Sequence, residues 1–187
     1  MRYGWNLEHG QGLVFNPGER VEGYTNLLVV LIMAGVSLLF NKSYAVLGVH
    51  VLGVVVALGT ALLAAEVGKS LRGGISERQA KWVGAVIFCG VLSYYPFSYW
   101  SLLGLEIGLL TLLFLGAVWL AFKFEGEGKG WYLYGFACLL GLACLSRPDS
   151  VVIAASLWGY LILRMWQKKA KDRNYRSFTI AFFIFLV

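Results

Sequence analysis

Tyr44 to Ala65, YAVLGVHVLGVVVALGTALLAA, decides the fold: His50 is the only titratable side chain with charge chemistry near neutrality in an otherwise apolar run. Wound as a helix, it is long enough to cross the roughly 30 Å of a bilayer's hydrocarbon. Lipid offers backbone N–H and C=O groups no partners, so a spanning segment must satisfy them internally, as a helix does. Working outward, further apolar runs cover Tyr24 to Phe40, Trp82 to Trp100, Leu102 to Phe122, Trp131 to Leu145, Val151 to Leu163 and Ser177 to Val187. Each is expected to be helical. The predicted fold is therefore all-α, a polytopic transmembrane helix bundle (24–187) preceded by a polar extracytoplasmic arm (1–23) that has no helix of its own. Both ends read as cut, the last run being too short to cross.

Composition agrees. Hydrophobic residues make up 59% of the 187 and charged residues 14%, with a mean hydropathy of +0.70. A soluble domain of this kind would lack the polar surface to cover itself. The net charge of +6 does not indicate nucleic acid, because the basic residues sit in short blocks between apolar runs. No removable signal peptide opens the chain. Cys89, Cys138 and Cys144 fall inside apolar runs and read as small buried hydrophobes. His9 and His50 are too far apart for a zinc motif, so neither a metal nor a cofactor is expected.

Loop charge predicts orientation. Glu66 to Lys81 carries Lys69, Arg72, Arg78 and Lys81; Lys123 to Gly130 carries Lys123 and Lys129; Arg164 to Arg176 carries six Lys or Arg. These blocks alternate with the basic-poor connections Pro96 to Ser101 and Ser146 to Ser150. The positive-inside rule places the first set in the cytoplasm and the second outside, where Tyr94, Tyr95, Tyr99 and Trp100 supply an aromatic belt. The run Tyr24 to Phe40 either crosses or lies in the interface, and charge counting does not choose.

Ionisable groups beside a span are costly and carry the first functional hypothesis. Here they are Glu106, Arg147 and Asp149, all on the predicted outer side, with His50 about two turns into its helix. Arg147 stands in SRPDS, where Pro148 suits the first position of the next helix. A guanidinium beside a helix N-terminus can grip a phosphate with paired hydrogen bonds; it can equally form an ion pair with Asp149 that caps the turn. Glu106 sits where the helix dipole favours an acid, and a half-buried carboxylate there could also bind or deprotonate a hydroxyl. In the arm, Asn16-Pro17-Gly18 is a turn signal, followed by Glu19, Glu22, Tyr24 and Thr25. Gly104 and Gly108 form a GxxxG pair expected to pack one helix on another.

Three motifs together, RYGWNLEHGQGLVFNPGERVEGYTN (Arg2 to Asn26), WSLLGLE (Trp100 to Glu106) and SRPDS (Ser146 to Ser150), resemble the GT-C class of membrane glycosyltransferases. The likeness is to arabinofuranosyltransferase-like bacterial proteins and, more remotely, to the lipid A aminoarabinose and protein mannosyl transferases. It implies transfer of a sugar from a polyprenyl-phosphate donor to a hydroxyl on a glycan or lipid acceptor, at the outer face of the cytoplasmic membrane in the cell envelope. It further implies an Asp acting as general base shortly before the Arg-Tyr that matches Arg2 and Tyr3, upstream of this chain. Glu106 would match the second outer carboxylate, and Arg147 the residue that neutralises the departing phosphate. Asn16, Glu19, Glu22, Tyr24, Thr25 and Asp149 would line the substrate cleft. For arm and site to share a compartment, Tyr24 to Phe40 must be interfacial or re-entrant. Two other readings of the chain are a polyprenyl-lipid transporter or flippase-like bundle and a non-catalytic membrane subunit.

Overall fold

A computed structural model describes residues 2–19, 23, 25–71, 74, 76–104, 106–167 and 175–186. Among them there are nine α-helices and no strand: α1 (Arg2–Glu8), α2 (Leu27–Leu39), α3 (Lys42–Leu71), α4 (Glu77–Ser93), α5 (Tyr95–Leu102), α6 (Glu106–Glu127), α7 (Trp131–Ser146), α8 (Val151–Gln167) and α9 (Tyr175–Leu186). Two stretches, Tyr44–Leu71 and Glu106–Glu127, are long and apolar enough to cross a membrane, and the bent pair α4 and α5 adds a third if it is one span. Contacts divide the chain into two units, Met1–Leu112 and Leu113–Val187, with the boundary inside α6.

In the first unit, the polar arm does carry a helix, contrary to expectation. Asn6 explains why this short helix holds: buried to 7% exposure, its amide donates to the carbonyls of Val14 (2.8 Å) and Phe15 (3.0 Å) and folds the following loop back on α1. α1 then lies on α2 at Gly4, where a Cβ would stand 2.8 Å from the backbone nitrogen of Ala34. The 13 residues of α2 rise only about 20 Å, short of the hydrocarbon thickness. α2 turns back into α3 and leans on Gly48 through Val36 and Phe40. α3 and α4 form the next antiparallel pair, with Ile87 against Gly68. A capping box starts α4: Ser76 Oγ accepts from the Gln79 amide (3.3 Å) while Gln79 Oε1 accepts from the Ser76 amide (3.0 Å).

The run Trp82 to Trp100 is not one helix. α4 stops at Ser93 and α5 leaves it at 63°. The cause is Pro96, whose missing N–H cannot serve the Leu92 carbonyl four residues back and whose ring crowds it. The Ser98 hydroxyl donates to that carbonyl instead, at 2.6 Å. α5 in turn ends at Gly104, which takes φ +71°, the left-handed conformation that closes many helices and that glycine adopts without strain. The run Leu102 to Phe122 is thus divided between the end of α5 and α6, and Gly104 and Gly108 do not share one helix face: Gly104 is in the turn against Val49, Gly108 in α6 against Ser101. His50 is exposed, its Nδ1 2.7 Å from the Val46 carbonyl. Cys89 and Cys138 are exposed as well, and only Cys144 is half-buried.

The second unit is built on Trp158 of α8, 3% exposed. Phe136 of α7 and Phe178 and Phe182 of α9 meet its ring edge-to-face, with centroids 5.0, 5.2 and 5.5 Å away, an arrangement favoured by the ring quadrupoles. Leu133, Leu140 and Leu161 complete this core. At one edge Arg164 of α8 clasps Glu125 of α6 through two 3.0 Å hydrogen bonds. Large apolar side chains such as Val55, Leu58 and Leu62 on α3 and Val152 and Leu163 on α8 face outward, as suits helices that face hydrocarbon.

Replacing Gly4 by Ala should drive α1 off α2, at a cost of about 1–3 kcal/mol, whereas Gly35→Ala, which meets nothing within 4 Å, should be neutral. Limited proteolysis of the arm in both variants checks this; equal cleavage rates would contradict the contact.

Candidate functional site

The arm's turn forms as read. Asn16 to Glu19 close through the Glu19 amide on the Asn16 carbonyl (3.2 Å), with Gly18 at φ +91° as a type II turn needs at its third position. The Asn16 side chain then donates to Glu19 Oε2 at 3.0 Å. Phe15, next to this turn, carries Tyr3 on one side (5.7 Å between centroids) and the Arg2 guanidinium 4.6 Å from its ring centre. The basic-aromatic start of the arm is thereby tied to its turn. Thr25 is exposed. Glu22 and Tyr24 lie outside the described residues.

Beyond the arm, Asn26 caps the start of α2 by position only. Its side chain makes no capping bond and instead donates to Glu106 Oε2 over a long 3.4 Å. Glu106, half-buried, opens α6 as its sequence position implied. The end of the arm and the start of α6 are therefore neighbours within the first unit. Beside them lies an apolar cavity of about 190 Å³, walled by Val29 and Met33 of α2, Leu52 and Gly53 of α3, and Ser101 and Gly108. Ser101 is 2% exposed, and its hydroxyl has no hydrogen-bond partner among the described residues. Glycine is required at Gly53, where a Cβ would run into the Ser101 carbonyl. The cavity suits an apolar chain, and its lining includes Val29 and Gly108, close in sequence to Asn26 and Glu106.

Arg147 and Asp149 belong to the second unit. Arg147 is the C-cap of α7 in extended conformation, and its amide donates to the Ala143 carbonyl at 2.9 Å. Pro148 then starts a single 3-10 turn, Pro148–Ser150, that runs into α8. The guanidinium takes Asp149 in a fork, Nε to Oδ1 at 3.0 Å and Nη2 to Oδ2 at 2.9 Å, with both side chains well exposed. Of the two roles open to Arg147, this geometry is that of the capping ion pair. Exposed pairs are weak, about 0–1 kcal/mol, so a dianionic phosphate offering the same fork can take the place of the carboxylate.

Asn6, Asn26 and Ser101 were not expected as contributors. Asn26 had a legible signal, an N-cap residue type directly before an apolar run; the partners of Asn6 and Ser101 depend on chain reversals that no local pattern announces. Among the described residues no group of three or more His, Cys, Asp or Glu could hold a metal ion. Comparison with protein-family models, with curated proteins and with solved structures finds no match.

Asn6→Ala would leave two carbonyls at Val14 and Phe15 without their donor, a loss of about 1–3 kcal/mol. Faster amide hydrogen exchange at residues 11–18 with unchanged exchange in α3 is the expected outcome; unaltered exchange in that loop would show that Asn6 does not hold it.

Proposed function

We propose that this chain is part of a GT-C-like membrane glycosyltransferase that moves a sugar from a polyprenyl-phosphate donor to a hydroxyl acceptor at the outer face of the cytoplasmic membrane. The supporting observation is the contact of Asn26 with Glu106. It sets the end of the arm beside the carboxylate that loop charge assigns to the outer side, and α2 is too short for a simple crossing. This contact supports a reading in which the arm shares Glu106's compartment, as sugar transfer of this kind requires.

In this proposal the acceptor hydroxyl attacks the anomeric carbon, the bond from that carbon to the phosphate oxygen breaks, and the electron pair leaves with the lipid phosphate. Arg147 exchanges Asp149 for that phosphate and stabilises its growing charge, a preorganised electrostatic role. Glu106, with Asn26, hydrogen-bonds a donor or acceptor hydroxyl. The apolar cavity beside them receives part of the prenyl chain. The arm residues Asn16, Glu19 and Thr25 face the acceptor, and the hydroxyl's proton passes to the Glu106 carboxylate.

One observation favours a second reading: the break between α4 and α5 is of the kind transporters use at substrate sites. A lipid-flipping assay in proteoliposomes separates the two, since a transporter moves the prenyl lipid with no acceptor present.

Arg147→Ala should lower transfer by about 10²-fold or more while leaving membrane insertion intact; near-normal turnover would remove Arg147 from the mechanism. For the arm, Phe15→Cys in a background without Cys89, Cys138 and Cys144 places a thiol at a side chain that is 46% exposed. A membrane-impermeant maleimide should label it from outside intact cells, and labelling only after lysis would place the arm in the wrong compartment.

A further inference from the structure

At the end of α3 and α4 remote from the arm's contacts lies a second, larger cleft, of about 550 Å³. Its walls are apolar along the helices, with Leu62 and Leu63 from α3 and Phe88 from α4, and its charged lining, Glu66, Lys69 and Lys81, collects where the two helices approach their connection. The polarity therefore changes along the cleft as it does along a phospholipid. Lys69 is directed into it: its stem crosses Gly84, where a Cβ would strike Lys69 Cε, and the side chain is only 33% exposed. Lys81, on the opposite wall, is 75% exposed.

We propose that this cleft binds one anionic glycerophospholipid, with the phosphate between Lys69 and Lys81 and an acyl chain against Leu62, Leu63 and Phe88. Charge complementarity selects this occupant. The lining carries two ammonium groups and one carboxylate. Lys69 pairs with Glu66 at 2.6 Å and Lys81 with Glu77 at 2.8 Å, exposed pairs of the weak kind that a phosphate can share or displace. Lysines gain from an anionic lipid surface, and a neighbouring apolar wall adds what a soluble anion cannot use. The site is distinct from the sugar-transfer reading and does not rest on it. In the orientation predicted from loop charge, it opens to the cytoplasmic leaflet.

The test uses the whole chain purified in detergent, with retained lipid counted by native mass spectrometry after exposure to equal dioleoylphosphatidylglycerol and dioleoylphosphatidylcholine. One phosphatidylglycerol should be retained in preference to phosphatidylcholine. Lys69→Ala with Lys81→Ala should reduce that retention on the order of tenfold, and the pair Lys69→Gln with Lys81→Gln, which keeps side-chain length, should do the same with wild-type helicity by circular dichroism. Lys123→Ala with Lys129→Ala should leave it unchanged. Equal retention of the two lipids, or undiminished retention in the folded Gln pair, overturns the proposal. So does displacement of the lipid by millimolar inorganic phosphate, which would make this a site for the free ion.

Discussion

Each place where an apolar helix stops leaves backbone groups that lipid will not satisfy, and the structure of the first unit follows from how those groups are answered. At Pro96 the Leu92 carbonyl loses its helical donor, and the Ser98 hydroxyl takes over. That substitution permits α5 to depart at 63° and carry Ser101 onto Gly53 of α3. The turn at Gly104 then starts α6 with Glu106 beside Asn26. Without the break, Glu106 would lie partway along an uninterrupted apolar helix and could not sit at a helix start.

Close approach does the remaining positioning. Gly4, Gly48, Gly53 and Gly84 each admit a neighbour that a methyl group would push away, and one of these contacts, Gly53 against Ser101, lines the apolar cavity. The second unit uses the opposite device, a large ring at the centre. Trp158 fills the space among α7, α8 and α9, and three phenylalanines meet it edge-on.

The two arginine-carboxylate pairs of the second unit differ in kind. Arg164 and Glu125 join residues far apart in sequence and tie α8 to α6. Arg147 and Asp149 are two residues apart, and both side chains are well exposed.

Hydropathy by itself determined that the chain is helical and apolar enough to cross a membrane, because a long uncharged run has no other way to satisfy its backbone. Local residue chemistry was also sufficient for the Asn16-Pro17-Gly18 turn, for Glu106 at a helix start and for Pro148 opening the turn into α8. The helix in the arm has no local signature, since its stability comes from Asn6 reaching carbonyls that only chain reversal brings near. Pro96 to Ser101 reads as a connection after a span, yet it lies within the helix α5, because hydropathy does not register how a missing N–H redirects a helix rather than ending it. Tertiary structure alone decided that Asn26 meets Glu106, that Ser101 faces an apolar cavity and that Lys69 turns across Gly84, since each depends on which helices become neighbours, and apolar periodicity specifies that a face is buried without specifying against what.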